Sequence, residues 1–219
     1  MIKNKNKILS AHQPNFLPWF GFFEKIIKSD VFVFSDDVLF VKQQLTNRTY
    51  LNNNRNEEFF VTLPINRTKG TRIYEKYISD DYSLINKSIN KILLNYKNFK
   101  FFDEISIICK KIIEDYEKTL SLGQINVNTI IHICDKLKIS SKFYLGSNIN
   151  LQSYNKNERL LKRAQKLGIM TYLHGKGADG YQDNAYLEKN GMKLIEVDYN
   201  ITKTIFEEEY KLSIIHHIA

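Results

Sequence analysis

Two stretches of this sequence place proton-carrying side chains beside residues that shape a loop. The first, HQPNFLPW, begins at His12 and contains two of the three prolines in the chain. Histidine has the side-chain pKa nearest neutral pH, so His12 is a candidate for moving a proton. Gln13 and Asn15 add amide donors and acceptors, and the prolines restrict the loop. The stretch predicts either a catalytic base at His12 or a structural histidine satisfied by a backbone carbonyl.

The second stretch, TYLHGKGADGYQD at 171–183, runs from an apolar segment into a glycine-rich loop. Its His174 follows the apolar segment just as His12 does in the first stretch, and is a second catalytic candidate. Glycines permit positive φ and let backbone amides approach an oxyanion or a phosphate. The spacing matches neither the P-loop nor the dinucleotide-binding fingerprint, so the predicted ligand is only a general anion. The predicted binding residues here are Gly175, Lys176, Gly177, Gly180 and Tyr181.

A third polar stretch, SDDVLFVKQQLTNRTYL, contains paired carboxylates followed by cations and amides. Adjacent side chains on an extended chain point in opposite directions, so Asp36 and Asp37 are not expected to act on one atom. One would contact a hydroxyl or an amine, with Asp37 as the candidate, and the other would cap a helix or form a salt bridge. Arg48 is either a bidentate ligand for phosphate or carboxylate or a solvated surface residue. Lys42 and Asn47 complete the predicted binding set.

The elements around these stretches predict where the side chains meet. KILSA at 7–11 is typical of a buried strand, WFGFFEKIIKS has apolar residues at helical spacing, and DVFVF is typical of a second strand. This order forms a βαβ unit, which favours a parallel sheet with a ligand crevice beyond the carboxyl ends of its strands. If the strands before His12 and His174 are neighbours, both histidines would face that crevice. Trp19 begins the helix and is interpreted first as a core residue and second as a ligand platform.

The remaining patterns predict one domain of the α/β class. EEFFVTLPI at 57–65 and TRIYEKYIS at 71–79 are typical of strands, and helical periodicity runs from about 82 to 138. Strand and helix patterns then alternate through SKFYLGS, NERLLKRAQKLG, IMTYLH and MKLIEVDYN. We therefore expect a single domain over 1–219, with a mostly parallel sheet built from βαβ units and a helical insertion at about 82–138.

Composition argues against several classes of function. The 219 residues are 43% hydrophobic and carry a net charge of +8, but the lysines are dispersed and no nucleic-acid-binding motif is present. Cys109 and Cys134 lie in helical patterns without metal-ligand spacing, so they are predicted to be buried apolar groups. No apolar stretch is long enough for a signal peptide or a membrane span, and a cytoplasmic location is expected.

The motifs together resemble the WbqC-like family over nearly the whole chain. The resemblance lies in HQPNFLPWFGFFEKIIKSDVFVFSDDV, the Asn47–Arg48 pair, TLP at 62–64, YLHGKGADGYQD and the closing KLSII. Two positions depart from the family's pattern. His174 stands where a serine is expected before the glycine loop, and His216 stands where an aspartate is expected after the closing motif.

The resemblance implies a role in the biosynthesis of surface glycans. Members of the family are typically encoded among genes for O-antigen, capsule and other surface glycans. The implied reaction is transfer of an acyl or aminoacyl group to the amine of a nucleotide-linked amino sugar. His12 would be the general base, and amides of the 175–180 loop or of Asn15 would bind the oxyanion. Contacts to the diphosphate and the sugar are expected from Arg48, Lys42 and Asp37.

The sequence leaves the acyl donor and two other functions open. No coenzyme A nucleotide motif is evident, so the donor could be an acyl carrier protein, a coenzyme A thioester or an activated amino acid. The acidic surface of a carrier protein would suit a basic partner. No tightly bound cofactor or metal is expected, and no oligomeric state is predicted. The alternatives are a nucleotide-dependent ligase or nucleotidyl-transfer enzyme, which usually has a second histidine two or three residues after the first, and a non-catalytic protein that binds sugar nucleotides.

Overall fold

The computed structural model describes residues 6–66, 72–175, 182–199 and 211–219. Four of the predicted binding residues lie outside these ranges, namely Lys176, Gly177, Gly180 and Tyr181. From the glycine-rich stretch, His174 and Gly175 are described.

A five-stranded parallel sheet forms the centre of the fold, which confirms the predicted α/β class. Two further strands form a separate antiparallel hairpin. In chain order the strands are β1 Ile8–His12, β2 Val31–Phe34, β3 Arg48–Asn52, β4 Glu58–Thr62, β5 Lys142–Leu145, β6 Thr171–His174 and β7 Lys193–Glu196. The sheet has the order β5-β2-β1-β6-β7. The strands that follow β1 in the chain, β2 and β5, lie on one side of it, and β6 and β7 lie on the other side. The strand order therefore reverses between β1 and β6, which is the topological switch point of the sheet.

The α-helices of the described ranges alternate with these strands and fill the predicted helical segment. They are α1 Phe20–Ile27, α2 Tyr82–Tyr96, α3 Phe102–Lys118, α4 Leu122–Lys136, α5 Lys156–Leu167, α6 Asn184–Lys189 and α7 Ile214–Ile218. Helix α5 shows how local sequence sets the ends. At the start of the helix, the Asn155 side chain accepts a hydrogen bond from the Glu158 amide. At its end, Gly168 adopts the left-handed conformation with φ of 70°.

Each face of the sheet packs against its own hydrophobic cluster. Phe32 and Phe34 of β2 point to the face covered by α1, whose Phe22 and Ile26 are buried there with the apolar faces of α2, α3 and α4. The alternate residues of β1 and β2, with Tyr172 of β6, point to the opposite face, which packs on α5 and α6. Burial of both faces explains why the strand sequences read as continuous apolar runs.

The segment after the hairpin corrects one predicted strand. TRIYEKYIS does not form a strand in its described part; it contains a single 3-10 turn, Ile73–Glu75. The turn is held by the loop after β2, because the Ile73 amide donates to Val38 O and the Tyr74 amide to Asp36 O. Ile73 and Ile78 are both fully buried although an odd spacing separates them, which a strand with one buried face cannot achieve.

No α-helix in the described ranges is both long and apolar enough to cross a lipid bilayer.

Candidate functional site

The switch point brings the two predicted histidines to one end of the sheet. His12 ends β1 and His174 ends β6, and these strands are neighbours. Their side chains leave the sheet on opposite faces, because residues alternate along a strand. His12 is in register with Phe34 on the α1 face, whereas His174 follows by two residues Tyr172, which is in register with Leu9 on the α5 face. The histidines border the same end of the sheet but not the same face.

A buried lysine from α1 occupies the place where β1 and β6 separate. The paired register between the two strands ends one residue before Ala11. Carbonyl groups alternate between the two neighbours along a parallel strand, and the Ala11 carbonyl points towards β6. Lys25 Nζ donates to this carbonyl at 2.9 Å and lies 6.0 Å from the centroid of the Tyr172 ring. The ammonium group therefore lies in the opening between the two strands.

Lysine is rarely buried without a carboxylate partner, and Lys25 is an exception. It is 5% exposed, and no carboxylate of the described residues lies within ion-pair distance of its Nζ. The adjacent Glu24 pairs instead with Lys28, at 2.6 Å. Burial lowers the pKa of Lys25 from 10.5 to about 8. Lys25 therefore loses its proton much closer to neutral pH than a solvated lysine does.

The protonation state of His12 follows from its hydrogen bond. His12 Nδ1 lies 2.9 Å from the backbone carbonyl of Gln13, which can only accept, so Nδ1 carries the proton and Nε2 carries a lone pair. The ring meets Phe22 edge-on at 5.1 Å. Burial, and then the charge of Lys25, lower the pKa of His12 from 6.5 to about 4. His12 is therefore neutral at pH 7, with Nε2 available as a hydrogen-bond or proton acceptor.

An aromatic pair borders the same end of the sheet. The Trp19 and Tyr199 rings lie 5.2 Å apart, and a Cβ at Gly21 would overlap the Trp19 ring. A Cβ at Gly175 would come within 3.2 Å of the Tyr199 hydroxyl, so β6 ends close to this ring. Burial, and then the charges of two nearby glutamates, raise the pKa of Tyr199 to about 12. Trp19 is half-buried and lies at the site's edge, which leaves both interpretations of it, core residue and platform, compatible with its position.

Segments distant in sequence hold the loop that follows His12. The Leu17 carbonyl accepts from Thr49 Oγ1 at 2.9 Å and from Ser213 Oγ at 2.8 Å. Asn126 of α4 donates its Nδ2 to the Pro14 carbonyl at 2.9 Å. Leu17 itself has a φ of 43°, a left-handed conformation that these bonds maintain. The closing KLSII motif, which contains Ser213, therefore braces the loop.

The two amides predicted to bind substrate have different surroundings. Asn15 is 1% exposed, and neither its Oδ1 nor its Nδ2 has a hydrogen-bond partner among the described residues. It borders a cavity of about 20 Å³, large enough for about one water molecule. Gln13 is half-buried, and its backbone orients the His12 ring. Positioning the His12 ring is therefore the role that its contacts support for Gln13.

Three arginines surround Asp37 just beyond the carboxyl ends of β2 and β5, a place that we call the β2/β5 end. The Asp37 carboxylate is fully buried, and Arg163 Nη2 lies 3.1 and 3.2 Å from its two oxygens. Arg159 Nη1 lies 3.6 Å from Oδ2 and donates to the Asp37 backbone carbonyl at 3.1 Å, while Arg72 Nη1 donates to that carbonyl as well. A Cβ at Gly146 would overlap the carboxylate. Asp37 could contact a sugar, as the sequence predicted, only by giving up these bonds.

Asp36 is committed to the chain in a similar way. Its carboxylate accepts from the Ser147 amide at 2.8 Å and from Ser147 Oγ at 2.6 Å. Burial raises the pKa of Asp36, and the two bonds from Ser147 oppose this shift. The adjacent carboxylates thus have separate partners, as the sequence predicted.

The remaining predicted binding residues lie on or near the hairpin. Arg48 Nε donates to Thr62 Oγ1 at 3.0 Å, and its guanidinium lies 4.2 Å from the centre of the Phe60 ring. Asn47 is buried and donates to Leu63 O at 3.2 Å. Lys42 is exposed in the loop before β3. These three residues are not gathered with His12 at the switch point by any contact of the described residues.

The described residues contain no group of three or more His, Cys, Asp or Glu side chains that could hold a metal ion. Both cysteines are buried, and burial raises the pKa of Cys109 and of Cys134 to about 12. Thiol nucleophiles are therefore not part of the candidate site.

The sequence profile of the WbqC-like protein family matches residues 13–216. The chain belongs to this family. It is 26% identical over 198 residues to "Uncharacterized protein Rv1507c" of Mycobacterium tuberculosis, and the match covers 89% of this chain and 83% of that protein. No solved structure matches the chain.

The structure of this WbqC-like chain adds residues that the motifs did not single out. Lys25 lies three residues after Phe22 and four before Ser29, so helical spacing alone places it on the buried side of α1. Arg159 and Arg163 are four residues apart in α5 and point to one side for the same reason. The sequence signal that could have identified these residues is a charged residue on the apolar side of an amphipathic helix. Tyr199 follows the last strand and has no comparable signal.

Proposed function

We propose that this WbqC-like protein is a transferase of bacterial surface-glycan biosynthesis that N-acylates a nucleotide-linked amino sugar at the β1/β6 switch point. The acyl or aminoacyl group would come from a carrier-protein thioester, a coenzyme A thioester or an activated amino acid. The observation that carries the proposal is a neutral His12 within electrostatic range of the buried ammonium of Lys25, at the place where open α/β sheets bind their ligands. Both substrates are cytoplasmic molecules, so we place the reaction there.

The chemistry balances with these two side chains. The sugar amine attacks the acyl carbonyl carbon, forming the C–N bond while the carbonyl electron pair moves to oxygen. His12 Nε2 takes a proton from the attacking nitrogen, and the Lys25 ammonium stabilises the oxyanion by its charge. Collapse of the tetrahedral intermediate breaks the bond from carbon to the donor's leaving group. The proton on His12 then passes to that leaving group.

The low pKa of His12 is compatible with this role. The nitrogen of the tetrahedral intermediate carries a positive charge after attack and is a much stronger acid than the free ammonium. The forming oxyanion also offsets the charge of Lys25, which is the second cause of the low pKa of His12. The proton affinity of His12 therefore rises as the bond forms. The Gly175 amide would contact the reacting groups from the end of β6, whereas the His174 side chain leaves β6 on the other face of the sheet from His12.

The first test is mass spectrometry of UDP- and dTDP-linked amino sugars incubated with the protein and a panel of acyl and aminoacyl donors. We expect a mass gain of one acyl group, and a rate at least 100-fold lower for His12→Ala, the range typical of a lost general base. His132→Ala is the matched control, since His132 lies on α4 six residues beyond Asn126, the residue of that helix that contacts the His12 loop.

The outcomes separate three functions. Binding of sugar nucleotide retained by His12→Ala while transfer is lost supports catalysis. Product that forms only with ATP, with AMP and pyrophosphate released, would replace the proposal with the nucleotide-dependent ligase. Tight binding of sugar nucleotides without a product from any donor would replace it with a non-catalytic binding protein.

A further inference from the structure

Three guanidiniums gather around Asp37 at the β2/β5 end, those of Arg72, Arg159 and Arg163. Arg163 hydrogen-bonds both oxygens of the buried Asp37 carboxylate, whereas Arg72 and Arg159 donate to the Asp37 backbone carbonyl. Asp37 and Arg163 are therefore paired, and the remaining donors of the other two arginines decide what else the cluster can bind.

The three arginines differ in the donors they have left. Arg163 is buried and uses Nη1 on Ser35 Oγ and Nη2 on the Asp37 carboxylate. Arg72 uses Nη1 on the Asp37 carbonyl and Nη2 on the Gln152 carbonyl at 3.0 Å. Arg159 uses only Nη1, and no acceptor for its Nη2 or Nε is present among the described residues. Its side chain is 12% exposed, so this arginine can reach a ligand.

The cluster lies close enough to the switch point for one ligand to reach both. The Ser35 amide donates to the His12 carbonyl at 2.8 Å, so the ends of β1 and β2 are adjacent. Asp37 follows Ser35 by two residues, which span at most about 7 Å. The distance from the end of β1 to the cluster is therefore on the order of 10 Å, shorter than an extended sugar nucleotide.

We infer that Arg159, with Arg72 beside it, binds the phosphate or diphosphate group of an anionic ligand at the β2/β5 end of the sheet. A guanidinium with two uncommitted N–H groups on one edge suits phosphate oxygens, which it can contact through two parallel hydrogen bonds. The identification of the ligand as a sugar nucleotide rests on the proposed function, but anion binding does not. Arg159 then takes the role that the sequence assigned to Arg48, whose guanidinium lies over the Phe60 ring on the hairpin.

The electrostatic state of Arg159 agrees with this assignment. Burial lowers the pKa of Arg159, Arg163 and Arg72 lower it further, and Asp37 offsets part of the shift. A bound anion would relieve this repulsion. Arg163, in contrast, is fixed between Asp37 and Ser35 and serves to hold the cluster.

The test is calorimetric titration of the full-length protein with inorganic pyrophosphate and with UDP. We expect Arg159→Gln to weaken both at least tenfold, because it removes the charge and both free donors. Arg55→Gln is the matched control, since Arg55 is exposed in the hairpin loop and its loss changes net charge equally. Arg159→Lys keeps the charge but not the two parallel donors, and we expect an intermediate loss.

Three results would overturn the inference: no pyrophosphate binding by wild type at millimolar concentration, equal binding by Arg159→Gln, or an equal loss in Arg55→Gln. If Arg159→Gln does not fold, phenylglyoxal modification of wild type replaces it. Mass spectrometry should then show pyrophosphate protecting Arg159 but not Arg55, and equal modification of Arg159 with and without pyrophosphate contradicts the site.

Failure of the anion site and failure of the proposed transferase are distinguishable. His12→Ala should bind pyrophosphate like wild type. If pyrophosphate binds at Arg159 but no donor yields product, the anion site stands and the transferase does not. If transfer occurs with the same KM for the sugar nucleotide in Arg159→Gln, the transferase stands and the anion site does not.

Discussion

At the β1/β6 end of the sheet a lysine ammonium is buried against a neutral carbonyl, whereas at the β2/β5 end an arginine guanidinium is buried against a carboxylate. Lys25 donates to Ala11 O, and Arg163 contacts both oxygens of Asp37. Both cations are almost fully buried. The two cations differ in whether a negative charge lies beside them. A buried charged group needs an opposite charge nearby, or its pKa shifts so that the neutral form is favoured.

This difference suits Lys25 to a chemical role and Arg163 to a structural role. Lysine can release a proton when burial disfavours its charge, whereas arginine stays protonated in proteins. Lys25 can therefore change its charge state near neutral pH, while Arg163 lies against the Asp37 carboxylate. The uncompensated end is where we place the reaction, and the compensated end is where we place the ligand's fixed anionic group.

The largest effect is expected at the compensated end. Asp37→Ala removes the partner of a buried guanidinium, and we expect the free energy of unfolding to fall by about 3–5 kcal/mol. Urea denaturation followed by circular dichroism measures it. Asp103→Ala, at an exposed carboxylate in the first turn of α3, is the control and should lose less than about 1 kcal/mol. A similarly small loss for Asp37→Ala would mean that the two ends do not differ in compensation.

The next effect concerns stability and pH at Lys25. The pKa of Lys25 is about 8 in the folded protein and 10.5 in the unfolded chain. Well below pH 8, Lys25 is protonated in both states. Between pH 8 and 10.5, the unfolded chain binds more protons than the folded protein. The free energy of unfolding therefore rises with pH in this window. We expect wild type to gain up to about 3 kcal/mol relative to Lys25→Met across it. Parallel stability curves for the two proteins would contradict the shifted pKa.

The same variant tests the function of the uncompensated end. Lys25→Met should fold at pH 7 with stability no lower than wild type, yet transfer should fall about 100-fold, the size of one lost oxyanion contact. Lys28→Met is the control on the same helix, since Lys28 pairs with Glu24. Loss of stability together with activity would give Lys25 a structural role only.

The smallest effect is the coupling between the two groups at the switch point. In an NMR titration we expect the His12 ring to titrate near pH 4, because burial and Lys25 both lower its pKa. Lys25→Met removes the second cause, so the midpoint should rise towards 6.5 by less than about one unit, as burial still acts. An unchanged midpoint in Lys25→Met would show that the two groups do not sense each other.

Local patterns identified most of the parallel sheet but not the segment after the hairpin. β1 and β2 appear as buried apolar runs, the patterns around β5, β6 and β7 also indicate strands, and helical periodicity marks α2, α3 and α4. TRIYEKYIS has a strand-like composition, yet its Ile73 and Ile78 pack into the core from a turn and a bridge. Tertiary packing overrode local β propensity there.

The candidate site divides in the same way. His12 could be recognised because it ends an apolar run before a proline-bounded loop. The partners of Asp37 could not, since Arg159 and Arg163 lie 122 and 126 residues further along the chain. Arg48 is suited to phosphate by residue type, and its position over Phe60 depends on the pairing of two strands.

The sequence by itself determined most of the secondary elements, the α/β class and the loop that follows His12, because periodicity, prolines and strand-end positions act over a few residues. Only the tertiary structure decided which strands are neighbours, and hence that the switch point lies between β1 and β6. It also decided that Lys25 is buried with no carboxylate of the described residues at its ammonium, while Arg163 is buried against Asp37. The physical reason is that charge compensation in a low-dielectric interior depends on contacts a few ångströms long, which join residues far apart in the chain.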